Sequence, residues 1–227
     1  MLENWLCFKN NSTLRRMPLY KKIFNTNYTL IVWHLTEQED FFLPHMPKFS
    51  SSPEKLDEIH VPQRRNEWLA SRYIAWNTAK EVEGFCDGVW SDEHNKPHFK
   101  NSSLQLSISH AKPYVAVLVH KTMPCGIDIE EKKEKLIKLA PKFLTADELE
   151  QTNGNLDALA LAWGAKEAIY KQHGRKQLIF KENIFLHGLD SIFSSGDIKC
   201  NLHLTDEDAS ITLHYEFFEN HIFVYTI

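Results

Sequence analysis

Two acidic side chains interrupt an apolar segment near the middle of the chain. In the run Gly126-Ile127-Asp128-Ile129-Glu130, the acids alternate with isoleucines. Because successive side chains of a β-strand point to opposite faces, Asp128 and Glu130 share one face, roughly 7 Å apart along the backbone. The isoleucines face the other way, into a core. Gly126 suits a bend or a close backbone approach just before the acids.

A third acid lies on a predicted helix further along the chain. Residues 156–171 contain no proline, and their apolar residues recur at helical spacing. Glu167 falls inside the resulting apolar stripe, one turn from Trp163 and beside Tyr170. A carboxylate on a core-facing stripe must be paired or bound to a metal. Lys171, four residues further on, is the predicted partner on the same helix.

Together the three carboxylates predict a divalent metal site. Asp128, Glu130 and Glu167 offer the hard oxygen ligands that suit Mg²⁺, with Mn²⁺ as an alternative. Mg²⁺ keeps several waters and commonly takes its remaining ligands from substrate phosphate. The pattern therefore indicates an enzyme that acts on a phosphate compound.

These residues resemble the signature of the 4′-phosphopantetheinyl transferase superfamily, in its larger monomeric type. That signature is G-[IV]-D-x-E, about forty residues, then [WF]-small-x-K-E-[AS]-x-x-K, and residues 126–130 and 163–171 carry it. Three upstream segments are similar to further family motifs, at residues 64–72, 95–97 and 107–110. The resemblance extends from residue 64 to residue 171, roughly half of the chain.

Two positions depart from the family pattern. Asn95 replaces the usual glycine, but asparagine tolerates the left-handed backbone that a turn needs. Gly164 stands where Ser, Thr or Cys is common, which lowers helix propensity by about 1 kcal/mol relative to Ala. Neither change removes a group that the chemistry requires.

The resemblance implies an α+β fold made of two similar α/β subdomains related by pseudo-two-fold symmetry, with the active site in the cleft between them. Residues 17–122 are the predicted N-terminal subdomain and residues 123–227 the C-terminal one. Their seam is expected between residues 119 and 126. Residues 1–16 are polar and aperiodic, and are interpreted as a disordered extension or an upstream start. The sequence itself shows no clear internal repeat.

The resemblance also implies the substrates and the reaction. A serine of an apo acyl, peptidyl or polyketide carrier protein attacks the β-phosphate of coenzyme A, giving holo carrier protein and adenosine 3′,5′-bisphosphate. Mg²⁺ is the implied cofactor, held by Asp128, Glu130 and Glu167. Glu167, Lys171 and Asp128 are the implied catalytic residues, with Lys166 as a second candidate cation. Whether Glu167 takes the serine proton directly or through a metal-bound water stays open.

Cationic and polar residues of the upstream motifs are implied to contact coenzyme A. Arginine offers a planar fork that matches phosphate geometry. The choice between Arg64 and Arg65 stays open at this stage. Residues 136–149, including Phe143 and Leu144, are a candidate docking surface for the carrier, with ordinary core residues as the alternative interpretation of Phe143 and Leu144. The complete set of implied coenzyme A contacts is Arg64, Arg72, Lys96, Ser109, His110 and Lys171.

Two other functions are compatible with the same residues. A coenzyme A pyrophosphate hydrolase would use the same metal ligands without a protein acceptor. A non-catalytic coenzyme A-binding module would retain affinity without transfer, although the complete acid set and Lys171 argue against it. Incubation of the protein with Mg²⁺, coenzyme A and an apo carrier, read by mass spectrometry, distinguishes the three.

Composition excludes several other classes. The chain has 227 residues, a net charge of −4 and a pI near 6.3, so no global basic field favours nucleic acid. The four cysteines show no C-x-x-C spacing, which argues against a zinc site or a disulfide framework. Apolar runs are far shorter than a membrane span, and there is no signal-peptide pattern. A cytoplasmic monomer is expected.

The elements that must position the site can be placed along the chain. A helix is predicted over Val61–Val82, with Pro62 in its first turn. Strands are predicted over Tyr28–His34, Leu104–Ser109 and Tyr114–His120. A helix begins at Thr145, the helix bearing Glu167 ends near Gly174, and about three strands follow in residues 178–227.

Overall fold

A computed structural model describes residues 18–46, 56–174, 178–204 and 208–226. The fold is α+β, as the sequence predicts. The strands are β1 Leu19–Phe24, β2 Tyr28–His34, β3 Val89–Ser91, β4 Pro97–Phe99, β5 Gln105–Ala111, β6 Tyr114–His120, β7 Gly126–Glu131, β8 Ile184–His187, β9 Ser195–His203, β10 Asp208–Phe218 and β11 His221–Thr226. The helices are α1 Glu39–Phe42, a 3₁₀ turn Leu43–His45, α2 Pro62–Glu83, α3 Lys135–Phe143, α4 Ala146–Thr152, α5 Leu156–His173 and α6 Phe180–Asn183.

The N-terminal half is an antiparallel sheet with one long helix on it. The strand order is β1-β2-β6-β5, and α2 packs against one face through a shared apolar core. Pro62 occupies the first turn of α2, as predicted, because its missing N–H has no partner to lose there. The helix ends at Gly84, whose φ of 84° is a left-handed conformation that glycine adopts without strain.

The C-terminal half repeats this plan with a larger sheet. The strand order is β7-β11-β10-β9-β8, and α5 lies against β7 and β11. Asn155 caps the start of α5 by accepting hydrogen bonds from the backbone N–H groups of residues 157 and 158. Helix and sheet approach so closely at Gly126 that a Cβ there would lie 1.9 Å from the Ala168 carbonyl oxygen. The prediction that Gly126 permits a close backbone approach is confirmed.

The remaining faces of the two sheets pack against each other. Ile127 and Ile129 are 0% and 1% exposed and lie in this second core, so the predicted inward side of β7 is confirmed. The backbone N–H of Ile127 donates to Ser107 Oγ at 3.0 Å, which joins β5 to the start of β7. The acids of β7 therefore face away from the core, beside β5 and α5.

The connection between the halves, residues 121–125, falls within the predicted seam. In each half, the last strand pairs antiparallel with a strand from the beginning of that half, β6 with β2 and β11 with β7. This shared plan is compatible with a pseudo-two-fold relation, which stays a prediction.

The structure differs from the sequence prediction in two elements. Strand β1 was not predicted from the sequence. Four strands, rather than about three, fill the described part of residues 178–227. Residues 1–16, interpreted above as an extension or an upstream start, lie outside the described residues. None of the helices in the described ranges is both long and apolar enough to cross a membrane.

Candidate active site

Asp128 is at the centre of the site. Only 5% of the residue is exposed, and its Oδ1 accepts hydrogen bonds from Ser109 Oγ at 2.8 Å and Lys171 Nζ at 2.7 Å. Lys171 Nζ also donates to Ser109 Oγ at 2.8 Å and to the Ile127 carbonyl at 3.1 Å. Residues from β5, β7 and α5 thus form a closed ring. The prediction that Lys171 pairs with Glu167 is wrong, because the facing strand offers it a buried carboxylate.

The second oxygen of Asp128 has a different environment. Oδ2 is buried, and among the described residues no group donates a hydrogen bond to it. Gly164 of α5 lies beside it, since a Cβ at that position would be 3.8 Å from Oδ2. A buried carboxylate oxygen without a donor is unfavourable unless a cation or water completes its environment.

Glu130 lies two residues further along the same face of β7. Burial raises its pKa to about 7, and the charges of Asp128 and Glu167 add to this effect. Lys135 and Lys133 oppose it. Glu130 is therefore near enough to both of the other predicted carboxylates for their charges to act on it. Glu167 itself is half-buried on α5.

The three acids supply the carboxylate oxygens that a hard divalent cation prefers. Their side chains are not, however, arranged around a single point. In the described part of the chain, no three His, Cys, Asp or Glu side chains converge as metal ligands. The orphaned Oδ2 of Asp128 and the raised pKa of Glu130 are nevertheless two unfavourable features that a cation would relieve.

A second group of predicted residues lies beside this ring. His110, at the end of β5, has its Nε2 3.3 Å from Glu67 Oε2 of α2. About half of its side chain is exposed, yet burial by neighbouring atoms lowers its pKa, while the Glu67 charge raises it. Lys171 and Arg64 lower the same pKa and Asp128 raises it. The fold therefore brings Arg64, His110 and Lys171 into one electrostatic neighbourhood.

The two adjacent arginines, Arg64 and Arg65, have different surroundings. Arg65 forms an ion pair with Glu39 at 2.6 Å and donates to the backbone carbonyls of Leu56 and Ile59. These contacts hold α1 and the segment before α2 in place. Arg64 is exposed on the side of α2 that faces His110. Arg64 is thus the better placed of the two to contact a ligand.

Arg72 lies about two turns further along α2. Its guanidinium stacks on the Trp68 ring at 4.5 Å and donates to Ser71 Oγ at 3.0 Å. Burial lowers its pKa to about 10, so the group remains a cation at neutral pH. Its Nε is buried, and no described group accepts from it.

Lys96 connects the N-terminal half to the end of α5. It follows Asn95, whose φ of 63° confirms that asparagine takes the left-handed conformation in this turn. Lys96 Nζ donates to the Gln172 carbonyl at 3.2 Å, one residue after Lys171. The turn between β3 and β4 therefore places a third cation near the last turn of α5.

The structure decides two candidate roles that the sequence left open. Lys166 is fully buried and donates to Glu148 Oε2 at 2.9 Å and to two backbone carbonyls, so it cannot serve as a second site cation. Phe143 and Leu144 are 4% and 0% exposed, so they belong to the core and not to a docking surface. These residues lie at the border of the core, where the spacing of apolar residues does not decide which way a side chain faces.

Residues 124–224 match the family model described as the 4′-phosphopantetheinyl transferase superfamily. This part of the chain belongs to that superfamily. The match includes Asp128, Glu130, Glu167 and Lys171, and it confirms the resemblance recognised in the motifs. Members of the superfamily transfer phosphopantetheine from coenzyme A to carrier proteins, typically with a divalent metal. A comparison with curated proteins found no match.

Glu67 is the residue of this neighbourhood that sequence reasoning overlooked. Although it lies inside the Arg64–Arg72 motif, no role was assigned to it. Its carboxylate is 9% exposed, receives a hydrogen bond from Gln63 Nε2 at 2.7 Å and contacts His110. The signal was present, because Glu67 is an acid next to the apolar pair Trp68 and Leu69 on a helix, as Glu167 is on its own helix.

Proposed function

We propose that this protein transfers the 4′-phosphopantetheine group of coenzyme A to a serine of an apo acyl, peptidyl or polyketide carrier protein. The products are holo carrier protein and adenosine 3′,5′-bisphosphate. The observation that carries the proposal is the ring formed by Ser109, Asp128 and Lys171. It joins the two halves beside two further acids and a group of cations, within a chain whose C-terminal part belongs to the superfamily.

Cations from both halves suit the phosphates of coenzyme A. Arg64 and His110 come from the N-terminal half, and Lys171 comes from α5. Arg72 and Lys96 extend the same positive region towards the hairpin of β3 and β4. Charge-assisted hydrogen bonds from such groups bind and orient a diphosphate. Ser109 positions Lys171 and offers a hydroxyl close to Asp128.

Phosphoryl transfer depends mainly on positioning and on charge stabilisation. Lys171 would stabilise the charge that develops on the transferred phosphate. Glu167 is the candidate base that removes the proton from the carrier serine as its oxygen bonds to phosphorus. The bond from the β-phosphorus to the bridging oxygen then breaks, and the electron pair leaves with adenosine 3′,5′-bisphosphate.

Asp128, Glu130 and Glu167 would hold Mg²⁺, or Mn²⁺ in its place. When bound, such a cation neutralises diphosphate charge and orients the phosphorus for attack. Asp128 Oδ2 is the ligand best prepared for this role, because it is buried and no described group donates to it. The raised pKa of Glu130 implies that protons compete with the cation for that carboxylate.

The carrier requires a docking surface other than the buried Phe143 and Leu144. On α3, Ile137 is 49% exposed and stands between the exposed Lys135 and Lys138. An apolar residue flanked by cations suits an acidic partner. This face overlaps the docking surface expected over residues 136–149, without the buried Phe143 and Leu144. The monomeric state, the cytoplasmic location and the identity of the carrier remain predictions.

Mass spectrometry of the carrier tests the proposal. The wild-type protein, Mg²⁺, coenzyme A and an apo carrier should add one phosphopantetheine to the carrier serine. Glu167→Gln should lose nearly all transfer and keep its circular dichroism spectrum and unfolding midpoint. Glu182→Gln, an exposed acid on α6, serves as the matched control and should transfer normally. Unmodified carrier with the wild-type protein would refute the proposal.

The same assay separates the two rival functions. A coenzyme A pyrophosphate hydrolase would release adenosine 3′,5′-bisphosphate at an undiminished rate without carrier. A non-catalytic binding module would bind coenzyme A but form no product in either condition. The transferase requires product formation to depend on the carrier.

A further inference from the structure

We propose that Glu67 is a positioning residue that acts through His110, orienting the imidazole and favouring its protonated form when it contacts a phosphate of coenzyme A. This inference rests on the proposed function and adds a residue to it. Glu67 does not touch the expected phosphate position itself. It contacts the ring that does.

Geometry gives Glu67 a defined orientation. Gln63 Nε2 donates to its Oε1 at 2.7 Å, and the other oxygen, Oε2, lies 3.3 Å from His110 Nε2. Since a carboxylate has no proton to give, this contact favours a proton on Nε2. No described residue forms a hydrogen bond with Nδ1. That nitrogen can donate to an anion only when the ring is an imidazolium.

The burial of Glu67 also needs an explanation. A carboxylate that is 9% exposed requires a compensating partner, and Gln63 supplies only a neutral amide. His110 provides the compensation when it is protonated. Its own side chain is 53% exposed, so an incoming phosphate can reach it. The pair therefore joins a buried anion to an accessible cation.

The charges around His110 explain why Glu67 is needed. Arg64 of α2 and Lys171 of α5 are cations that disfavour an imidazolium, and burial acts in the same direction. Asp128 of β7 and Glu67 of α2 oppose them. Asp128 already pairs with Lys171 at 2.7 Å, so Glu67 is the anion dedicated to His110. Burial holds the pKa of His110 below its usual value even with Glu67 in place, so the loss of Glu67 would lower that pKa further and make protonation towards a bound phosphate less favourable.

The test compares Glu67→Gln with Glu81→Gln, a substitution near the far end of the same helix where Glu81 pairs with Lys22. The titration of His110 is followed by NMR of ¹⁵N-histidine protein, with its signal assigned from His110→Gln. Steady-state transfer gives KM for coenzyme A and kcat between pH 5.5 and pH 8.5. Both readouts use the full chain with Mg²⁺ and an apo carrier.

In the Glu67→Gln protein, His110 should titrate at a lower pH than in the wild-type protein. At pH 7.5 its KM for coenzyme A should rise about tenfold, the size expected from losing one charge-assisted contact, with kcat changed less than about twofold. Acid should restore the wild-type KM, because it returns the proton to His110. A loss of packing alone would not be reversed by acid. Glu81→Gln should match the wild-type protein throughout.

Unchanged His110 titration or unchanged KM in a folded Glu67→Gln protein would overturn the inference while leaving the transferase function intact. If wild-type protein fails to modify the carrier but His110 still shifts in Glu67→Gln, the proposed function fails and the ion pair survives. Should Glu67→Gln not fold, His110→Gln decides. It should raise KM about tenfold and remove the pH dependence of KM, and a wild-type pH profile would overturn the inference.

Discussion

Glu130→Gln should make the metal-free protein more stable at alkaline pH. The Glu130 carboxyl has a pKa of about 7 in the folded protein, against 4.5 for an unperturbed glutamate side chain. Between these values the folded state binds more protons than the unfolded state, so stability falls as pH rises through this window. The penalty is complete above pH 7 and amounts to about 3 kcal/mol. Glutamine keeps the shape of the side chain and removes this penalty, because its amide does not ionise.

Urea unfolding in EDTA at pH 4.5 and pH 8 measures the effect. We expect Glu130→Gln to gain up to about 3 kcal/mol at pH 8 and much less at pH 4.5. Glu131→Gln is a matched control one residue away, because its hydrogen bond from Lys133 lowers the pKa of Glu131. The control should gain no stability at pH 8. Added Mg²⁺ should stabilise the wild-type protein more than Glu130→Gln, since the variant lacks a proposed ligand.

The opposite outcome would refute this reasoning. If Glu130→Gln is no more stable than wild-type protein at pH 8, the carboxylates are not crowded as the structure indicates. An equal gain in the free energy of unfolding at both pH values would show that the effect comes from side-chain packing and not from charge.

Three further predictions concern the fold and the ligand. Lys166→Ala should lose about 3–5 kcal/mol in urea unfolding, because Glu148 becomes a buried charge without its partner, and a loss below about 1 kcal/mol would contradict this. Gly126→Ala should sharply lower the thermal midpoint, since the new Cβ has no room against the facing helix backbone; a wild-type midpoint would show that the two elements separate easily. Arg64→Ala should raise KM for coenzyme A at an unchanged urea midpoint, whereas Arg65→Ala should lower the midpoint, and the reverse pattern would exchange their roles.

Local patterns in the sequence predict the parts of the site that depend on one element. Alternation alone places Asp128 and Glu130 on one face of β7, because the period of a strand is fixed. Helical spacing places Glu167 on a half-buried face of α5 for a similar reason. These predictions need no knowledge of what packs against each element.

Contacts between distant segments are not accessible in the same way. The pairing of Lys171 with Asp128 depends on how α5 lies across β7, and helical spacing favoured Glu167 instead. Lys166 is buried because Glu148 and two carbonyls surround its ammonium group, and these partners lie 14 to 18 residues away. Strand β1 was missed because Lys21 and Lys22 interrupt its apolar pattern at the edge of a sheet.

Ser109 and Asp128 come from opposite halves of the chain, and their hydrogen bond crosses the boundary between the two sheets. A substitution that lets the sheets slide by an ångström would break this link while leaving every helix and strand intact. Damage in the buried layer near Leu118 or Phe223 should therefore appear first as slower turnover in a protein whose circular dichroism is normal. Turnover should therefore respond to a displacement between the two sheets that measurements of secondary structure do not detect.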